Sequence, residues 1–200
     1  MSETSGTGLP GTPTTLFQHA LRLHRLTPDA PLVRSGEPFP GTKRRRRQPG
    51  QPFDPSRGVA DAAKVLDAYF LDTRVSPRQL AIKLRDVPVS SRYSERIGAA
   101  ALRASTARAR ETGRWLIRHG TDLAPVAVGL ALLAEVGTVD DIRLIQTIGL
   151  LSNAFGPLAV RCLERLPGGV EALFWLAERV AAWGRVHKTV SYVVRRTSRL

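Results

Sequence analysis

Cysteine is nearly absent from this 200-residue chain, and methionine and aromatic residues are scarce: one Cys, one Met, three Trp, three Tyr and six Phe. The single cysteine, Cys162, excludes an internal disulfide and fits a reducing compartment. It lies in a helical apolar run with no histidine near it in sequence, which makes it a small core residue rather than a nucleophile. Long apolar runs are missing too. The longest, residues 123–134, carries Pro125 and Gly129 and falls well short of the roughly 20 residues that a spanning helix needs. Residues 1–13 have neither a basic start nor an apolar stretch, so no secretory signal is expected. The reading is a soluble, cytoplasmic protein without a transmembrane segment.

Acidic residues are the other shortage: 17 Asp and Glu stand against 30 Lys and Arg, a net charge of +13. The excess is uneven, at +4 over residues 1–56, +6 over 57–122, −2 over 123–184 and +5 over 185–200. Such asymmetry points to an anionic partner: nucleic acid, an anionic membrane surface or an acidic protein.

What the chain does have is helical periodicity. In residues 123–184 apolar side chains recur at three- and four-residue steps: Leu130, Leu133, Ala134; Ile142, Ile145, Ile148, Leu151; Leu158, Cys162, Leu163, Leu166; Leu173, Leu176, Val180, Trp183. The breaks between runs carry helix-end residues: Gly137, Ser152-Asn153, Pro167-Gly168-Gly169 and Gly184. Thr138 with Asp141 three residues on suits a helix start. Four short helices starting near Leu123, Val139, Ala154 and Val170 follow, about 15 residues apart, which is about three turns and a tight connection each. The fold class expected is all-α: a HEAT/armadillo-like stack of short antiparallel helices over residues 57–184, with a compact helical bundle as the alternative.

Residues 1–56 hold nine of the fourteen prolines, with many Gly, Thr and Arg, and are expected to form a largely disordered basic arm. Within it Leu16, Phe17, Ala20 and Leu21 fall on one side of a short amphipathic helix near residues 15–26, capped by Thr14 or Thr15 and ended by Pro28. Its docking on the body or on a partner would stabilise a helix too short to persist alone. Further on, Val59, Ala62, Ala63, Leu66, Tyr69 and Phe70 share one side of a helix beginning at Ser56. Ser76, Pro77 and Gln79 then give a capping box and a proline at the first helical position, opening a helix that ends before Pro88. The longest helical run, residues 94–119, has breaks available at Ser105-Thr106 and Gly113 and a stop at Gly120. Residues 185–200 form a basic tail with Val190, Tyr192, Val193 and Val194 and no acid.

Two groups of cations are candidate anion- or nucleic-acid-binding residues. Lys43, Arg44, Arg45, Arg46 and Arg47 form a run of like charge in a loop, which either grips phosphates or stays merely solvated. If residues 94–119 form one continuous helix, Arg96, Arg103, Arg110, Arg114 and Arg118 fall within an arc of roughly 80° and make a basic stripe, with Ile97 and Trp115 off it toward the core. No catalytic, metal or cofactor site is assigned. Asp140-Asp141 is explained by its place at a helix start. His19 and His24 are five apart rather than at the four-residue spacing of a helical metal pair, and His24, on the apolar side, reads as the buried histidine. Gly168-Gly169 lacks the Lys-Ser/Thr of a phosphate loop.

The segments 114–122 (RWLIRHGTD), 147–159 (TIGLLSNAFGPLA) and 176–186 (LAERVAAWGRV) resemble parts of uncharacterised actinobacterial proteins with HEAT-like helical repeats. The resemblance covers about half to three-quarters of the chain and implies a repeat fold but no reaction or ligand. Two function classes follow. One is a non-enzymatic helical-repeat scaffold that binds another macromolecule, in the first place another protein. The other is a nucleic-acid-binding protein gripping DNA or RNA phosphates without sequence preference. A third, much weaker, is a DNA-glycosylase-like enzyme, for which Trp115, Trp175 and Asp141 are candidates by residue type alone.

Overall fold

The apolar run too short to span a membrane forms the centre of the protein. A computed structural model describes residues 14–39, 55–89 and 95–180. Among them the regular elements are α1 (Leu16–Leu26), α2 (Pro55–Leu71), α3 (Pro77–Leu84), α4 (Glu95–Arg103), α5 (Thr106–His119), α6 (Leu123–Val136), α7 (Ile142–Gly149), α8 (Ser152–Leu163) and α9 (Gly169–Arg179), with short 3-10 turns at Val33–Gly36 and Val139–Asp141 and no strand. The protein is therefore all-α, and no helix among the described residues is long and apolar enough to cross a membrane.

Helix α6 is apolar around its whole circumference, as a helix wrapped on every side must be. It feeds two core clusters at once. Val126, Leu130, Leu133 and Ala134 pack with Ile145, Ile148, Phe155, Leu158, Leu163, Leu173 and Leu176 of the later helices. Val128, Ala131, Leu132 and Val136 pack instead with Leu66, Tyr69, Leu80, Leu84, Ile97 and Leu116. Truncating a side chain such as Leu130, fully buried, removes about 2–5 kcal/mol from a core of this kind.

Two successions of contacts run through the body. Helices α2, α4, α6 and α8 touch in that order, and so do α3, α5, α7 and α9. Contacts between consecutive helices join one succession to the other, most extensively α5 with α6. There the backbones approach closely because both helices carry glycine: a Cβ on Gly129 would stand 2.9 Å from the Gly113 carbonyl oxygen, and one on Gly113 3.1 Å from that of Gly129. Gly168, at φ +73°, supplies the left-handed residue that starts α9.

The helix starts at Ser76 and Thr138 form as the sequence indicates. Ser76 and Gln79 bond reciprocally, and the Asp141 carboxylate accepts the Thr138 amide at 2.9 Å. Two alternatives left open in the sequence are decided, and one reading is overturned. Residues 95–119 make two helices, since α4 ends at Arg103 and α5 begins at Thr106 after a non-helical Ser105, a residue type that competes with helical backbone. The helix near residues 15–26 docks on α5 and α7, with Leu16, His19 and Ala20 buried and the Leu16 amide bonded to the Gly120 carbonyl at 3.0 Å. The buried histidine is His19, not His24. Its Nε2 lies 2.8 Å from the Gly36 carbonyl oxygen, an acceptor only, so that nitrogen carries the proton. His24 sits partly exposed at the helix edge against Trp175.

Candidate functional site

Three of the five stripe arginines are engaged inside the fold. The break at Ser105 divides the stripe, leaving Arg96 and Arg103 on α4 and Arg110, Arg114 and Arg118 on α5. Arg103 forks onto Asp67 of α2, with Nη2 2.7 and 2.9 Å from the two carboxylate oxygens. Both partners are about half exposed, so the pair contributes at most about 1 kcal/mol. Arg110 donates Nε to the Val136 carbonyl at 2.7 Å, satisfying an acceptor at the last turn of α6.

Arg114 is the most committed. Its Nε lies 2.6 Å from one Asp141 oxygen and its Nη2 3.3 Å from the other, while Nη1 reaches Glu111 at 2.9 Å. The Asp141 side chain is 1% exposed and that of Arg114 only 21%. The bond to Asp141 raises the Arg114 pKa above its already high ordinary value, so the cation persists wherever the protein is folded. Asp141 thereby serves two ends: it caps the start of α7 through Thr138 and anchors α5 through Arg114.

A fourth arginine does the same work and has no distinguishing position in the sequence. Arg108 donates to the carbonyls of Phe70 at 3.0 Å, Tyr69 at 2.9 Å and Asp72 at 2.8 Å, with its guanidinium carbon 4.6 Å from the Tyr69 ring centroid. These are orphan acceptors at the end of α2, the negative pole of its dipole. From one helix, then, Arg108, Arg110 and Arg114 hold the end of α2, the end of α6 and the start of α7.

Arg96 and Arg118 are exposed and have no partner among the described residues. They are what remains of the stripe as an anion-binding surface. Lys43, Arg44, Arg45, Arg46 and Arg47 lie outside the described residues, as does the basic tail.

The other chemistry-bearing side chains are turned inward. Cys162 is fully buried, donates to the Leu130 carbonyl at 3.0 Å, and has its pKa pushed up by burial, which keeps it a neutral thiol. The Tyr69 and Thr112 hydroxyls pair at 3.0 Å and those of Ser35 and Ser152 at 2.9 Å, so these buried polar groups satisfy one another. Trp115 packs on the cluster around α2 to α4 and stacks on His119, whereas Trp175 packs on the cluster around α7 to α9, between His24 and Arg179. With the Asp141 carboxylate enclosed by Arg114 and Thr138, no base-holding pocket is assembled from Trp115, Trp175 and Asp141. Among the described residues no group of three or more His, Cys, Asp or Glu is placed to hold a metal.

No family model matches this chain, and no curated protein or solved structure matches it. Function must be argued from the residues themselves.

Proposed function

We propose that this chain is a non-enzymatic scaffold of stacked helical pairs, HEAT-like in plan, that binds another macromolecule, in the first place another protein. The observation that carries the reading is the order of helix contacts: α2, α4, α6, α8 in one row and α3, α5, α7, α9 in another, with contacts between the rows. Stacked helical repeats have this plan, and they act by presenting a long surface rather than a pocket. The side chains that could do chemistry support it as well, since Asp141, Cys162 and His19 are each bonded within the fold.

The reading is tested by removing the last unit. In a stack each unit leans mainly on its neighbours, so a chain ending at Glu164 keeps amide-exchange protection in α2 to α6. A compact bundle loses protection throughout, and that result would overturn the repeat plan. Binding is tested with fluorescent duplex DNA and single-stranded RNA at two salt concentrations. No binding at either salt leaves the protein-binding scaffold in front.

The basic segments at residues 43–47 and 185–199, with Arg96 and Arg118 exposed and without partners among the described residues, favour a second reading, non-specific phosphate contact. It requires affinity for both nucleic acids that falls steeply with salt. Undetectable binding at low salt removes it.

A further inference from the structure

Residues 14–39 meet the rest of the chain at points that fall in a row. The Leu16 amide donates at 3.0 Å to the carbonyl of Gly120, the residue after α5. The hydroxyls of Ser35 and Ser152 pair at 2.9 Å just after α7, where Gly36 lies too close to Leu151 to carry a Cβ. Near the end of α9 the His24 ring meets Trp175 edge-on, with centroids 5.3 Å apart, and Arg179 donates Nε to the Pro28 carbonyl at 3.1 Å. The segment therefore crosses the C-terminal ends of three successive helices of one row, α5, α7 and α9.

Its local structure depends on being held there. Arg34 and Ser35, at φ +49° and +54°, hold left-handed conformations that residues other than glycine rarely adopt and that persist only where surrounding contacts fix them. Those contacts are the Ser35 hydroxyl on Ser152 and the Gly36 carbonyl on His19 Nε2, 2.8 Å away. Helix α1 has eleven residues and its own capping box between Thr15 and Gln18, but a helix of that length is marginal in water without a surface to dock on. Leu16, Ala20 and Leu32 are buried among residues of α5 to α9, whereas the cluster to which α2, α3 and α4 belong contains, among the described residues, none from 14–39.

We propose that residues 14–39 are a strap that closes and opens as one unit and that, closed, locks α7 and α9 onto α5. The parts require one another: α1 needs the groove between α5 and α7, and the left-handed turn needs both Ser152 and His19. Losing either attachment therefore releases the whole segment. With the strap open, α7 to α9 keep their contacts with α6 and with each other but lose the one segment that bridges all three row members. That end of the body gains freedom, while α2 to α4 keep their packing. The strap is thus a conformational device that sets the rigidity of one half of the helical body.

Native-state amide exchange on the full chain, followed through low concentrations of urea, tests the proposal. Amides of α1 and α9 are expected to open more often than those of α6. The variant Thr15→Ala/Gln18→Ala removes the capping box without touching α9. It should speed exchange in both α1 and α9 about fivefold and leave α2 to α4 within about twofold of wild type. Leu16→Asp, at a fully buried position, should abolish protection in α1 and speed exchange in α9 at least about tenfold; if that variant unfolds, the capping variant decides. Faster exchange in α1 with α9 unchanged would overturn the proposal, because the segment would then lock nothing. Equal acceleration of every helix, or exchange of α1 only through global unfolding, would overturn it too, making the segment part of one cooperative core.

Discussion

Replacing Arg114 by Met separates a structural arginine from a ligand-binding one. The substitution keeps most of the aliphatic volume but leaves the Asp141 carboxylate, 1% exposed, without its cation. Breaking a buried pair by removing one partner costs about 3–5 kcal/mol, because the remaining charge is neither solvated nor paired. The Thr138 amide, at 2.9 Å, still bonds to Asp141, which places the expected loss near the lower end, about 3 kcal/mol. The bond to Glu111 adds little, since that carboxylate is 70% exposed. Against a total stability of about 5–15 kcal/mol the change is large, and urea unfolding followed by circular dichroism reads it as a lower midpoint at unchanged slope. The double variant Arg114→Met/Asp141→Asn removes both charges and retains an acceptor for Thr138, so it should recover a substantial part of the loss. The pKa of Arg114 is raised, so its contribution is fully present below the ordinary arginine value and no alkaline dependence enters below it. A single-variant cost under about 1 kcal/mol, the range of an exposed pair, would refute the argument.

Other perturbations test separate parts of the same account. Arg103→Ala, at the half-exposed pair with Asp67, should cost less than about 1 kcal/mol in the same urea assay. Gly129→Ala should destabilise by about 1–3 kcal/mol despite a gain of about 1 kcal/mol in helix propensity, because its methyl group would meet the Gly113 carbonyl at 2.9 Å; a more stable protein would show that α5 and α6 are not in close contact. The raised pKa of Cys162 means that stability attached to it is present below the ordinary thiol value of 9.0 and is lost above it, as the unfolded chain ionises. Wild type should therefore lose about 1.4 kcal/mol per pH unit relative to Cys162→Ala above pH 9.0, and parallel pH profiles would contradict the burial. Arg96→Glu and Arg118→Glu, both exposed, should each change stability by no more than about 0.5 kcal/mol.

Local signals are legible in the sequence and tertiary ones are not. The helix starts at Ser76 and Thr138 depend on residues three apart, and both appear where the capping pattern places them. The four helices after residue 122 are legible for the same reason: apolar spacing and Gly, Ser or Pro breaks act within one helix. The break at Ser105 is visible in the sequence but cannot be chosen over a continuous helix, because both satisfy the periodicity of residues 95–119. His19 and His24 show the limit more clearly. Burial is decided by the Gly36 carbonyl, brought to His19 by the 3-10 turn over Val33–Gly36, and no spacing within α1 announces it. The arginines of α5 are legible as a charge pattern, yet their acceptors are mostly carbonyls and carboxylates on other helices. Spacing along one helix says nothing about what faces it.

That distinction changes where an anionic partner could bind. A net charge of +13 suggests a basic surface, but Arg103 and Arg114 are paired with acids, and Arg108 and Arg110 are turned onto carbonyl oxygens at helix ends. A guanidinium held in that way cannot reach a phosphate without surrendering a bond that holds two helices together. On the described part of α4 and α5 the cations without such bonds are Arg96 and Arg118, a pair too sparse for the steep salt dependence of a protein that neutralises many phosphates. Any strong affinity for nucleic acid must therefore draw on cations outside α4 and α5, residues 43–47 and 185–199 among them. Neutralising those two segments should then weaken binding strongly, whereas Arg96→Glu with Arg118→Glu should weaken it only modestly. The reverse order would return the interface to the helices.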